Sequence, residues 1–400
     1  MEMTSRERML VAMRNQKPDR VPVAPDISNM VPCRLTGKPF WDIYYKRQPP
    51  LWKAYIDAVR YYGMDGWSVD VGIRFNADNG VWWESKVLSQ AADRMEVLYI
   101  CHTPEGDLDF TQVFYPADPP TITRKWIKNM DEDFRKIKYM FPPNFKSYDD
   151  SEYKEILAYA GDDSLFNGVV EPPGFQHLFG IVIDGGLEEV TYQYYDNRDM
   201  ILEICDMKAR HELKKLEIML DKGYEAILLG ASGSITLQSP EIWDELALPF
   251  YKTATRMCRE AGAVSGVHSC GKERHLLLRC FEETDLDYAN PLEIPPMGDC
   301  TLADMKAAVG SKIALMGNVH TVEVMLLGTP DLVRLESLRA IRDAGQGGGF
   351  ILSTGDQPGR DTPDENIRMM VETAREFGGY ELDLDRIETE IAVLETRLRT

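Results

Sequence analysis

No apolar run in the 400 residues approaches the roughly 20 that a membrane-spanning helix needs, so no membrane partner is expected. The opening stretch Met1-Glu2-Met3-Thr4-Ser5-Arg6-Glu7 lacks the apolar core of a secretory signal. Basic residues are outnumbered, with 45 Lys and Arg against 65 Asp and Glu, for a net charge of −20. That balance argues against nucleic acid, whose phosphates need clustered cations. It also disfavours a polyanionic substrate unless arginines are concentrated locally. Seven cysteines, an odd number and widely scattered, form no disulfide framework and point to a reducing cytoplasm. The glycine runs at 230–233 and 347–349 complete neither a P-loop nor a dinucleotide fingerprint, and the second precedes a strand rather than a helix. A serine triad, an internal repeat and a low-complexity tract are also missing.

What the chain does have is regular alternation. Apolar strands are predicted at 165–170, 226–229, 264–268, 287–289, 313–316 and 350–352, with helices between them at 199–222, 239 onward, 273–282, 301–309 and 330–344. Earlier strands are expected at 20–23 and 65–71. Such alternation implies a parallel sheet, and the length and strand count fit a closed eight-stranded barrel better than an open, doubly wound sheet. The segment 95–115 breaks the pattern and reads as a β-hairpin excursion turning at Pro104-Glu105-Gly106-Asp107. Thr4-Ser5-Arg6-Glu7 is a capping box opening a short helix, and 40–62 reads as helical and aromatic, mostly packing. At the C-terminus Leu384, Ile387, Ile391, Leu394 and Leu398 form a two-heptad apolar seam. It leaves two readings open, packing on the barrel exterior or a homodimer contact.

In a parallel barrel all strands finish on one face, and the loops there build the site. The stretch Val264-Ser265-Gly266-Val267-His268-Ser269-Cys270-Gly271 ends a strand with an imidazole and a thiol two residues apart. Alternate residues leave a strand on the same side, so His268 and Cys270 offer half of a zinc site, against the plainer reading of a buried cysteine beside an ordinary histidine. Catalytic zinc takes three protein ligands and keeps an open position. Asp356, at the end of the last strand, is the best third ligand; alternatively it caps or turns the loop before Thr362. Glu171 reads as a ligand, a general base or a salt-bridge partner. Asp26 and Asn318 are polar strand-end residues available for substrate contact, and His320 and Glu171 are candidates for moving a proton.

Several stretches in chain order carry a resemblance: Thr4-Ser5-Arg6-Glu7-Arg8 with Pro18-Asp19-Arg20-Val21-Pro22-Val23, Ser239-Pro240-Glu241, His268-Ser269-Cys270-Gly271, Met316-Gly317-Asn318-Val319 and Thr362-Pro363-Asp364-Glu365-Asn366-Ile367. Together they resemble the uroporphyrinogen decarboxylase-like superfamily. The resemblance implies a distorted (β/α)8 TIM barrel, one domain over 1–400, with the hairpin insertion at 95–115 and a C-terminal helix at 383–399. The superfamily divides into tetrapyrrole decarboxylases and zinc-dependent methyltransferases that work with corrinoid proteins. The His-x-Cys stretch is similar to the methyltransferases, in which His and Cys bind zinc with a second Cys from the last strand. Here Asp356 stands in that neighbourhood. The implied activity is methyl transfer between a small methylated substrate and a corrinoid carried by a separate protein, since no Asp-x-His-x-x-Gly cobalamin stretch is present. A carboxylate in place of a thiolate hardens the site, which favours an O-methyl substrate such as an aryl ether. The alternatives are a uroporphyrinogen-type decarboxylase, or a non-catalytic barrel that binds a tetrapyrrole or corrinoid. The first is disfavoured because Ala24-Pro25-Asp26-Ile27-Ser28-Asn29 carries no arginine after the first strand.

Overall fold

In the computed structural model, which describes residues 2–230 and 232–399, thirteen strands are found. They are β1 Gly66–Asp70, β2 Arg74–Asn76, β3 Trp82–Gln90, β4 Met95–Thr103, β5 Gly106–Phe114, β6 Thr121–Arg124, β7 Ser147–Asp149, β8 Ser164–Val170, β9 Ala226–Gly230, β10 Val264–His268, β11 Tyr288–Asn290, β12 Ala314–Val319 and β13 Phe350–Thr354. Seven of them form one parallel sheet in the order β1-β8-β9-β10-β11-β12-β13. The order follows the chain, as expected when each strand is joined to the next by a crossover on the outside.

The extended segment 20–24 stands where an eighth strand closes the barrel. On one side it exchanges backbone bonds with β13, Leu352 N to Pro22 O and Ala24 N to Leu352 O, both 2.9 Å. On the other, Asp65 N donates to Val23 O at 2.8 Å, beside β1. The strand expected at 20–23 is therefore present only as isolated bridges, Val23 with Leu352 and Arg20 with Gly379. Pro22 and Pro25 explain this, because each removes a ladder donor. The Asp65 carboxylate substitutes for the missing bonds, accepting from Val23 N at 2.8 Å, Arg20 Nη1 at 2.8 Å and Arg8 Nη1 at 2.7 Å.

Alternate strand residues fill the interior: Trp67, Leu165, Ala226, Leu228, Val264, Tyr288, Ala314, Met316 and Ile351 pack together. Beneath them sits the N-terminal helix Ser5–Met13, whose Met9, Leu10 and Met13 join the same cluster. Its capping box is formed, with Glu7 N on Thr4 Oγ1 at 3.2 Å and Thr4 N on Glu7 Oε2 at 2.8 Å. That helix seals the N-terminal end of the barrel. The outer helices pack on the other face of each strand, in a larger apolar shell.

The hairpin of β4 and β5 is two strands of a four-stranded antiparallel sheet, ordered β3-β4-β5-β6. Cys101 and Leu108 bury its inner face against Trp126, Ile127, Ile137, Phe175 and Ile201. The aromatic stretch at 40–62 is divided into helices Phe40–Tyr44 and Leu51–Tyr62, with Pro49 and Pro50 between them. Trp52, Tyr55 and Tyr62 are buried there and act as packing. The C-terminal helix Leu384–Leu398 turns Ile387, Ile391 and Leu394 into the apolar shell of its own barrel. Arg334 with Glu390, at 3.0 Å, and Arg339 with Glu395 tie it to the helix Pro330–Ala344.

Candidate functional site

Within β10 the inward-facing residues are Val264, Gly266 and His268, so the alternation that fills the core with Val264 brings His268 to the upper rim. Tyr288 of the next strand lies across Gly266, where a Cβ would stand 2.0 Å from its ring. Gly266 is thus required by the close approach of an aromatic side chain, not by backbone conformation. Tyr288 is itself fixed, its hydroxyl donating to Asn167 Oδ1 at 2.9 Å and accepting from Trp67 Nε1 at 3.2 Å.

Asn290, at the end of β11, sets the orientation of His268. Its Oδ1 lies 2.5 Å from His268 Nδ1 and its amide nitrogen 3.5 Å from Met316 O. An amide oxygen can only accept, so the proton is on Nδ1 and Nε2 is the nitrogen left for a ligand. Nε2 is 3.8 Å from Asp356 Oδ1, and the ring is also hydrogen-bonded to Cys270. One sulfur and two carboxylates converge beside it: the ligand atoms of Cys270, Glu293 and Asp356 all lie within 4.8 Å of one another. Asp356 is held at φ 140°, a conformation that costs a non-glycine residue about 1–3 kcal/mol and that clusters at functional sites. Glu293 reaches the cluster from the loop after β11, where its Oε2 accepts from Gly271 N.

Acidic groups dominate the electrostatics around His268. Burial alone would lower the pKa of His268, but its bond with Cys270 and the carboxylates of Asp26 and Asp356 outweigh burial and raise it to about 10. Asp26 is fully enclosed, bonded to Ser28 Oγ at 2.5 Å, and burial pushes its pKa up against the pull of His268. Burial, and then the neighbouring Asp356, likewise push Glu293 up. Three carboxylates around one imidazole are an excess of negative charge that a divalent ion would neutralise. A nitrogen, a sulfur and carboxylate oxygens are a donor set zinc accepts. The residues present therefore fit that ion.

Between the two loops that bring in Cys270 and Glu293 lies a further carboxyl, Glu273. Its Oε2 accepts from Leu292 N at 3.0 Å, while its Oε1 is buried without a partner. Burial raises its pKa to about 8.

His268 also forms part of a cleft of about 740 Å³ at the mouth of the barrel. Val69, Ile122, Val169, Ile181 and Leu228 supply apolar walls, and Glu171, Gln176 and His177 supply polar groups. His177 is buried and kept neutral, first by burial and then by the charge of Lys208. Among the described residues no arginine or lysine lines this cleft. Glu171 stands on its wall, more than half exposed, paired at 2.9 Å with the buried Lys208, which also holds Glu212 at 3.0 Å.

The structure thus brings His268, Cys270, Asp356 and Asp26 together, with Glu171 sharing the cleft. Asn318 and His320 line a separate hollow of about 370 Å³. Asn318 Nδ2 donates to Leu292 O at 2.9 Å, which steadies the loop carrying Glu293. His320 Nδ1 accepts from Val322 N and Glu323 N at 3.2 and 3.1 Å, capping the helical turns at Thr321–Leu326. Glu293 and His177 were not expected from sequence. No spacing in the sequence marks Glu293, which lies in a loop three residues past the strand end at Asn290, where Cys270 is two past His268. Cys280 and Cys300 are buried outside the cluster, Cys300 beside Asp299.

The profile of the family described as "Uroporphyrinogen decarboxylase (URO-D)" matches residues 177–377, half of the chain. A methylcobamide:CoM methyltransferase, MtbA, of Methanosarcina mazei is 24% identical over 286 residues, covering 70% of this chain and 76% of that protein. A uroporphyrinogen decarboxylase of Neisseria meningitidis is 30% identical over 206 residues, covering 49% of this chain and 55% of that one. A solved methyltransferase from Methanosarcina mazei superimposes with a TM-score of 0.63 at 16% identity, over 94% of this chain and 99% of that chain.

Proposed function

The chain belongs to the uroporphyrinogen decarboxylase (URO-D) family, and on that premise we propose that it is a zinc-dependent methyltransferase working with a separate corrinoid protein. The observation that carries this reading is the convergence of Cys270, Glu293 and Asp356 beside the His268 ring. The similarity over most of the chain to a methylcobamide:CoM methyltransferase supports it. So does a cleft without arginine or lysine among its described lining residues, because a tetrapyrrole bearing many carboxylates would find none of the bidentate cations that suit it there.

His268 Nε2 and Cys270 Sγ would hold the ion, with Asp356 and Glu293 completing the donor set. Bound there, zinc supplies a Lewis acid that stabilises negative charge on the heteroatom giving up or receiving the methyl group. Asn290 accepts from Nδ1, which turns Nε2 towards the cluster as the nitrogen that would bind once it gives up its proton. Asp26, enclosed beside the ring, acts on His268 through its charge when ionised, and ionisation is what a bound cation would favour. The apolar walls exclude water and accept the body of a small substrate, while Glu171 presents a carboxylate for a proton. Oxygen-rich ligation makes the ion harder than a two-thiolate site would. An O-methyl substrate, and given the apolar walls an aryl methyl ether, suits it best.

The test is metal content of the purified protein by mass spectrometry, for wild type, His268→Ala and Cys270→Ala. Near-stoichiometric zinc in wild type, lost in both variants, is the expected result, with demethylation of aryl methyl ethers in the presence of cob(I)alamin, followed by cobalt absorbance. A wild type that binds no zinc, or variants that keep it, overturns the reading.

A further inference from the structure

The four-stranded excursion ends in an edge that is unusual for a soluble protein. β3 is the outermost strand of the order β3-β4-β5-β6, and all nine of its residues, Trp82–Gln90, are exposed. Four of them are large and apolar: Trp82 at 58% exposure, Trp83 at 48%, Val87 at 42% and Leu88 at 47%. An edge strand offers a row of free backbone donors and acceptors, and proteins ordinarily guard such edges with prolines, charges or brevity. Here the strand is long, has no proline, and its only charged side chains are Glu84 and Lys86. A bulge at its C-terminal end, between Val87 and Ser89, leaves the run up to Val87 regular.

The order of those residues says what the edge pairs with. Register with β4 puts Trp82, Glu84 and Lys86 on one face, over Ile100 and His102, where Trp82 stacks on His102 at 3.7 Å. Trp83, Ser85 and Val87 lie on the other, where Trp83 meets Phe110 edge-on at 6.2 Å. Two copies of β3 related by a twofold axis normal to the sheet pair antiparallel, and directly opposed residues then share a face. Centring the axis on Glu84 sets Glu against Glu, and centring it on Lys86 sets Lys against Lys. Centring it on Ser85 sets Glu84 against Lys86 twice, sets Trp83 against Val87 twice, and brings each Trp82 alongside the partner's Leu88 end. Opposite charges and aromatic–aliphatic pairs are the favourable cross-strand combinations, and like charges the unfavourable ones.

We propose that β3 is a self-recognition edge, through which a second copy of this chain docks antiparallel about Ser85 to continue the sheet from four strands to eight. The occupant is the chain itself because the strand is complementary to its own reverse. The interface is remote from the C-terminal seam, which is taken up by the barrel's own helix Pro330–Ala344. It is independent of the metal reading, since none of its residues belongs to the cluster at His268.

The experiment is sedimentation velocity of the full chain over a range of concentrations, with Glu84→Lys and Lys86→Glu made separately and far-UV circular dichroism confirming their folds. Wild type is expected to dimerise. Each variant alone is expected to lose about tenfold or more in dimer affinity, because two attractive cross-strand pairs become two repulsive ones. Mixed together, the two variants restore opposite charges at both positions and are expected to form a one-to-one heterodimer. A wild type that stays monomeric throughout, as it would if the edge served a different protein, overturns the proposal. So does a dimer that either single variant leaves intact, or a mixture that fails to associate.

Discussion

Glu273→Gln tests whether the loops that carry the cluster are held by a protonated carboxyl. In the native protein Glu273 is fully buried, one oxygen bonded to Leu292 N and the other without a partner, and burial raises its pKa from 4.5 to about 8. Between those two values the folded state holds a proton that the unfolded state has released. Stability therefore falls as pH rises through the window, by about 1.4 kcal/mol per pH unit. Below the unfolded value the contribution is fully present, and by the folded value it is gone. Glutamine mimics the protonated acid, keeps an oxygen for Leu292 N, and does not titrate. In chelator, so that no bound ion contributes, urea unfolding of both proteins is compared. The stability of Glu273→Gln relative to wild type is expected to grow by about 3 kcal/mol between about pH 5 and about pH 7. Subtracting the two proteins cancels every other titrating group. A difference that stays flat with pH would show that Glu273 ionises in the native state as it does in water, and the argument from burial would fail.

Two further outcomes follow from packing. Gly266→Ala drives a methyl into the immobilised Tyr288 ring and is expected to cost about 1–3 kcal/mol, with a lowered melting temperature and weaker zinc retention, since His268 is two residues on; an unchanged melting temperature refutes the close approach. Lys208→Met leaves Glu212, which is 2% exposed, with Lys215 alone, and is expected to cost about 3 kcal/mol in denaturant. A loss below about 1 kcal/mol would mean that Lys215 suffices, as for an exposed pair.

From residue 165 onward the barrel was legible because each strand is a short apolar run bounded by turn residues and separated by a helix-length segment. The segment 20–24 was harder to place correctly, since two prolines break its ladder and an aspartate side chain completes it, a compensation visible only in three dimensions. β3 was missed because Trp82-Trp83-Glu84-Ser85-Lys86 alternates in neither the strand nor the helix sense; its exposure on both faces removes the pattern that burial imposes. At the site, the His268–Cys270 spacing was readable because extended backbone repeats its side every second residue. Glu293 was not, since it reaches the cluster from a loop whose course depends on Asn318 and Gly271, far apart in sequence. The two hollows at the strand ends cannot be told apart from sequence either: Asn318 and His320 line the second one, Asn318 holding the loop of Glu293 and His320 acting on Glu293 through its charge.

The short helix wedged under the barrel has a kinetic consequence. Met9 and Met13 stop the lower end, so the cleft at His268 lies at the opposite mouth of the barrel. Under the proposed function, a small reactant and a bulky protein-borne corrinoid would both approach the atoms near His268 from that mouth and would have to take turns there. The small molecule would have to be seated before the large one covers it, and its product could not leave until the large one lifts away.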